Sequence, residues 1–229
     1  MRWVNYMRKR LLNICNRVLR VILVLLLSIL ITIFIKTIAI DYSYVSGHSM
    51  SPTLHDGQPL LVMKCSYGVR KPRNIYEIQI LGSVVYYLSE KSVVDSVLRN
   101  NPPFEYMFLF SFPKRGDIVV LNVPVNNNLH AVKRCVAIAG DSIPYNKNTL
   151  PYNIVPYKGM VIDAKSLNEM QSKYMQQNKS FMFEEKDSTY IALDDFVYVL
   201  GDNLEHSEDS RNWGAIPMSL IFGQVFTNL

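Results

Sequence analysis

The stretch Ser46-Gly47-His48-Ser49-Met50-Ser51-Pro52-Thr53-Leu54 lies just past a membrane-length apolar run. Gly47 permits a tight turn before Ser49, and Pro52 stiffens the chain on its far side. Alone, such a serine reads as an ordinary turn residue. Two stretches downstream change that reading. Lys133-Arg134 is embedded in an apolar strand pattern, His130 to Ile138. A polar cluster runs from Gly201-Asp202-Asn203 through Ser207, Asp209, Ser210 and Arg211. A serine hydroxyl attacks only when a base takes its proton, and a lysine in an apolar setting is one base that can do so.

Upstream of this stretch, Val21 to Ile35 is free of charge, with Ser28 and Thr32 as its polar members. Extending through Ile40, with Lys36 snorkelling to the interface, brings it to about 20 residues, the usual spanning length. A cleaved signal peptide is the competing reading, but Thr37-Ile38-Ala39 matches a cleavage site poorly. The expected organisation is a basic tail at 1–20, a transmembrane anchor at 21–40 and a folded domain at 41–229. Arg2, Arg8, Lys9, Arg10, Arg17 and Arg20 precede the apolar run, which puts the N-terminus in the cytoplasm and the domain outside.

The chain of 229 residues has a formal net charge of +5, but the excess is local. Seven of its 24 basic residues and none of its 19 acidic ones lie in residues 1–40. The remainder therefore carries 17 basic against 19 acidic residues and has no surplus for neutralising phosphates, which excludes a nucleic-acid reading. No Gly-rich phosphate loop, Cys-x-x-Cys or His-Glu-x-x-His occurs, so no metal, nucleotide or other cofactor is expected. Of the three cysteines, Cys15 precedes the anchor, while Cys65 and Cys135 are read as two separate buried thiols, with a disulfide between them as the alternative.

The domain reads as all-β. Asp41–Val45, Gln58–Lys64, Ile118–Leu121, His130–Ile138 and Phe196–Leu200 are strand patterns bounded by turn signals. Alternation puts Ala131, Lys133 and Cys135 on one face and Val132, Arg134 and Val136 on the other. Lys133 thus has an apolar surrounding, which depresses an ammonium pKa. Residues 83–98 fit either a strand or a helix. Phe104, Tyr106, Phe108, Phe110 and Phe112 recur with period two and are read as a core strand, a lipid-facing surface being the alternative. A helix is expected near Ser166 to Gln177.

Four blocks in order resemble the type I signal peptidases, membrane-bound Ser/Lys proteases. They are Ser49-Met50-Ser51-Pro52-Thr53-Leu54; Lys114-Arg115-Gly116-Asp117-Ile118-Val119-Val120; Val132-Lys133-Arg134 with Gly140-Asp141; and Gly201-Asp202-Asn203 with Ser207, Asp209-Ser210-Arg211 and Gly214. The resemblance implies an antiparallel catalytic β-domain with a smaller β subdomain inserted at about 142–192, behind one N-terminal transmembrane helix. It implies Ser49 as nucleophile and Lys133 as general base, with Ser207 hydrogen-bonding and aiming the lysine nitrogen. Asp202, Arg134, Arg211 and Asp209 would form one ion-pair cluster holding the strands together. Gly47 stands where some members carry a serine whose hydroxyl helps to form the oxyanion hole, leaving backbone N–H groups, that of Ser49 foremost. Met50, Leu54 and Val132 are candidates for shallow pockets that read small side chains.

The expected partners are the lipid bilayer and exported preproteins, with no nucleic acid or nucleotide. The expected location is the bacterial cytoplasmic membrane, single-pass. A Ser-His pairing through His48 or His206 competes with the Ser-Lys dyad. At the level of function the competing readings are a Ser/Lys peptidase dedicated to one secretion or conjugation client, and a catalytically silent anchored binding domain.

Overall fold

The computed structural model describes residues 2–99, 105–124, 126–143, 153–166, 183–186 and 188–226. It opens with one long helix, α1 (Arg2–Ile38), of which Leu12–Ile38 is apolar enough and long enough to cross a membrane. The charge step at residue 20 does not interrupt it, because Arg and Lys are good helix formers. Both polar residues of the apolar run bond inside the helix: Ser28 Oγ donates to Leu25 O and Thr32 Oγ1 to Ser28 O. The helix ends at Ile38, and Ile40 already belongs to the first strand.

The domain is built on a seven-stranded sheet. Its strands are β1 (Ile40–Tyr44), β2 (Pro59–Met63), β5 (Ile118–Val123), β6 (Asn126–Ile138), β10 (Phe196–Leu200), β11 (Ile216–Pro217) and β12 (Ile221–Phe226). They lie in the order β1-β2-β12-β5-β6-β10-β11, and every pairing is antiparallel. Two small sheets accompany it. One is a ribbon of β3 (Gly68–Arg70) and β4 (Tyr106–Leu109). The other comprises β7 (Val161–Asp163), β8 (Phe183–Lys186) and β9 (Thr189–Ala192), in the order β7-β9-β8, within the interval expected for an inserted β unit.

The strand β5 shows why the fold is stable. Val119 and Leu121 enter one core with Cys135, Phe196, Val199, Ile216 and Ile221, while Ile118 and Val120 enter a second with Val45, Met50, Leu54, Leu60 and Val62. A strand buried on both faces reads as an unbroken apolar run, as this one does. Each such side chain contributes about 1.5–3 kcal/mol on burial.

Three expectations about elements are resolved differently or more narrowly. Residues 83–98 are helical, divided between α2 (Gln79–Leu88) and α3 (Lys91–Arg99). The expected helix at 166–177 lies outside the described residues, apart from the short 3-10 turn Ala164–Ser166. The aromatic run is not a core strand: Tyr106 is half-buried against the core, but Phe108 and Phe110 are 66% and 64% exposed, and Phe112 is exposed too. The strand β4, which holds Tyr106 and Phe108, pairs with β3 alone, outside the main sheet; Phe110 and Phe112 lie past its end, and among the described residues nothing covers its outer face. Phe104 lies outside the described residues. All three cysteines are free, and burial pushes the Cys135 thiol up to about 12, which keeps it an unreactive core residue.

Candidate active site

The turn that carries Ser49 is held at both ends. The Gly47 N–H donates to Asp56 Oδ1 at 2.8 Å, and Gly47 has φ +88, a conformation that favours glycine. Beyond the serine, the Leu54 N–H donates to Met50 O, and both side chains are buried in the second core. The Asn203 N–H donates to Ser49 O at 3.0 Å, so the loop after β10 grips the serine's own peptide. Gly201 makes that approach possible, since a Cβ there would collide with Ser49 O and Ser207 Oγ. The Ser49 N–H itself has no partner among the described residues.

Lys133 comes from the middle of β6. Cross-strand register sets it opposite Val119 and sets Ala131 opposite Leu121, so its face is that of the larger core, as alternation predicted. Its Nζ lies 2.8 Å from Ser49 Oγ, and the residue is only 4% exposed. Burial lowers its pKa below the ordinary lysine value; Asp209 and Glu208 act in the opposite sense, and Arg211 assists. The indole of Trp213 stands with its centroid 6.0 Å from the same nitrogen.

The supporting residues are brought close, but not in the expected pairing. Ser207 Oγ donates to Asp209 Oδ2 at 2.7 Å instead of bonding the Lys133 nitrogen. The single ion-pair cluster is two separate units. Arg134 grips Asp202 with Nε and Nη2 at 2.8 and 2.7 Å, which ties β6 to the loop after β10 and holds the Asp202 carboxyl below its usual range. Arg211 pairs with the fully buried Asp209. Burial alone would push that carboxyl up; hydrogen bonds from Arg211, the Gly201 N–H and Ser207 overcome it and hold it low. Asp209 also caps the short helix α4 (Ser210–Trp213), with Asn212 completing a capping box. The two units separate because Arg134 reaches Asp202 from β6, whereas Asp209 is met by Arg211 two residues on in the same short segment.

A cleft of 390 Å³ opens beside Ser49 and Lys133. Met50 and Val132 line it, with Val45, Leu60 and Val120 adding apolar wall. Leu54 does not; it is 3% exposed and packs in the second core, one helical turn past Met50. His48 and His206 are both exposed, and neither bonds Ser49. Trp213 is the cleft residue that the sequence reading missed. Its signal was present, since α4 starts at a cap residue within the last block and one turn carries residue 213 back over the lysine.

The chain matches the family model described as "Signal peptidase, peptidase S26" over residues 18–229. It is 27% identical over 252 residues to signal peptidase I of Buchnera aphidicola subsp. Baizongia pistaciae, spanning 86% of this chain and 72% of that relative. It is 24% identical over 222 residues to signal peptidase I of Pseudomonas aeruginosa, spanning 86% of this chain and 66% of that relative. A solved signal peptidase I from Enterococcus faecalis V583 is 23% identical, with a TM-score of 0.29, and covers 51% of this chain and 99% of the solved one. A model that accounts for nearly the whole chain outside the first turns of α1 shows that this protein belongs to the signal peptidase family, peptidase S26.

Proposed function

We propose that this peptidase removes signal peptides from exported preproteins, with Ser49 as nucleophile and Lys133 as general base. The observation that carries the reading is the 2.8 Å approach of the buried, pKa-lowered Lys133 nitrogen to Ser49 Oγ. In its neutral form Lys133 accepts the Ser49 proton as Oγ attacks the scissile carbonyl. The oxyanion that forms faces the unpartnered Ser49 N–H, a donor of the kind that stabilises tetrahedral intermediates. The ammonium then protonates the leaving amine, which expels the C-terminal product and leaves an acyl-serine. Neutral again, Lys133 takes a proton from water, the hydroxide opens the ester, and Ser49 recovers its proton.

The sheet supports an extended substrate. β10 pairs with β6 only from Arg134 to Ile138, so among the described residues β6 up to Lys133 has an open edge beside the cleft. A substrate strand added there would meet backbone hydrogen bonds first and the apolar wall of Met50 and Val132 second. Arg134, Asp202, Ser207, Asp209 and Arg211 hold this frame, and Gly47 shapes the turn. With α1 spanning the cytoplasmic membrane, the N-terminus lies in the cytoplasm and the domain at 41–229 outside, where exported chains emerge.

The test is cleavage of a preprotein by the full-length chain and by Ser49→Ala and Lys133→Ala. Each variant should fold and lose cleavage, and the double variant should be no worse than either single one. Near-normal turnover in either would remove the dyad. A panel of unrelated preproteins distinguishes a general enzyme from a single-client one, since the latter would cut only one of them.

A further inference from the structure

A second cavity, of 350 Å³, lies at the foot of the anchor helix. Four cations line it, Lys64, Arg70, Lys71 and Arg73, against two carboxylates, Asp41 and Glu77. Arg73 is matched by Glu77 at 2.6 Å, and Lys64 stands 3.7 Å from Asp41. The exposed Lys71 reaches Glu105, outside the lining, at 3.8 Å. Arg70 lies over the Phe222 ring, 4.7 Å from its centroid, and donates to Ile221 O. Even with Glu105 counted, four cations and three carboxylates gather here among the described residues. Burial lowers the Lys64 ammonium, opposed by Asp41 and assisted by Arg70, and draws the Arg70 guanidinium down to about 10. An anion in the cavity would relieve both.

The cavity's position says where such an anion would come from. Lys64 Nζ donates to Lys36 O at 2.7 Å, in the last turn of α1. Thr37 Oγ1, in the same lining, is buried and has no hydrogen-bond partner among the described residues. The neighbouring α2 exposes Tyr86, Tyr87 and Leu88, and β1 exposes Tyr42 and Tyr44. Tyrosines around the exit of a spanning helix mark the depth at which hydrocarbon gives way to headgroups. We propose that this cavity binds the phosphate of an anionic phospholipid headgroup and so seats the catalytic domain against the bilayer. The proposal rests on reading α1 as a membrane anchor. It also joins the two cavities: His130, three residues before Lys133 on β6, lines both. A headgroup held there sets the height of the Ser49 cleft above the membrane.

The test uses the full-length chain in nanodiscs of phosphatidylcholine, alone or with rising fractions of phosphatidylglycerol, and reads the thermal midpoint of the domain. A parallel flotation with vesicles of phosphatidylcholine alone checks the anchor. Failure to float would overturn the anchor reading and this proposal together. With the chain floating, the midpoint should rise with the phosphatidylglycerol fraction. Lys71→Gln should shift that dependence to about fivefold higher phosphatidylglycerol, and Arg70→Gln at least as far. Should Arg70→Gln fail to fold, the rim variant Lys71→Glu supplies the same comparison. No rise, or an equal rise in wild type and variants, would overturn the proposal and leave the anchor standing. Glycerol phosphate or inorganic phosphate producing the full rise in phosphatidylcholine discs would make this a free-phosphate site and overturn the lipid source.

Discussion

Lys133, the proposed base, is held where burial opposes its charge. Its pKa is lowered in the folded state, so the unfolded chain binds the proton more tightly. Below the folded pKa both states are protonated and the cost of burying the charge is present in full. That cost is relieved as pH rises from the folded pKa towards the ordinary lysine value of 10.5, so stability rises across that window. Lys133→Met keeps the apolar stem and removes the charge. It should abolish cleavage yet raise the thermal midpoint at pH 7, with a smaller gain at pH 10. An equal gain at both values would mean that the Lys133 pKa is not lowered in the fold. In the wild type, cleavage should rise with pH through the same lowered pKa, because only the neutral amine is a base. Gly201 is the other decisive position. Gly201→Ala drives a methyl group into Ser49 O and Ser207 Oγ, and a displacement of that kind should cost about 100-fold in kcat. A fall seen only in KM, with kcat intact, would place the strain away from the serine.

At the scale of elements, the site depends on fastening β6 to the loop after β10. Their strand pairing ends at Arg134–Leu200, and beyond it the Arg134–Asp202 fork takes over. A double-mutant cycle of Arg134→Gln and Asp202→Asn should report a coupling of about 1–2 kcal/mol in unfolding, above a surface pair because the fork is bidentate and partly buried. The single variants should also slow cleavage, since Asn203, next in the loop, holds the Ser49 peptide. Zero coupling would reduce the pair to surface charge.

At the scale of the molecule, the exposed large apolar side chains among the described residues include a long series on α1 and Met107 to Phe110 at the β3–β4 ribbon. Phe108→Ser with Phe110→Ser should change unfolding stability by no more than about 0.5 kcal/mol, the range for exposed positions. A core placement would cost about 3–5 kcal/mol for each phenylalanine. Thermal unfolding of the full-length chain separates these outcomes, and the larger loss would restore the core reading.

Local pattern was enough to reveal the long apolar N-terminal helix, the five principal strands and the face of Lys133. The period of a spanning helix or a two-sided buried strand is written in consecutive residues. The proposed pairing of Ser49 with Lys133 was legible only from the four blocks taken together, because a serine in a Gly/Pro turn is ordinary by itself. Other partnerships across segments were not. Ser207 bonds Asp209, and the four charged residues divide into two pairs, because strand register and the reach of each side chain decide which of several nearby charges meet. Phe108 and Phe110 have the alternation of a core strand, yet their ribbon lies off the main sheet, and alternation says nothing about what covers a face. Trp213 and the basic cavity depend most on tertiary structure, since a helical turn and four chain segments must converge before either exists.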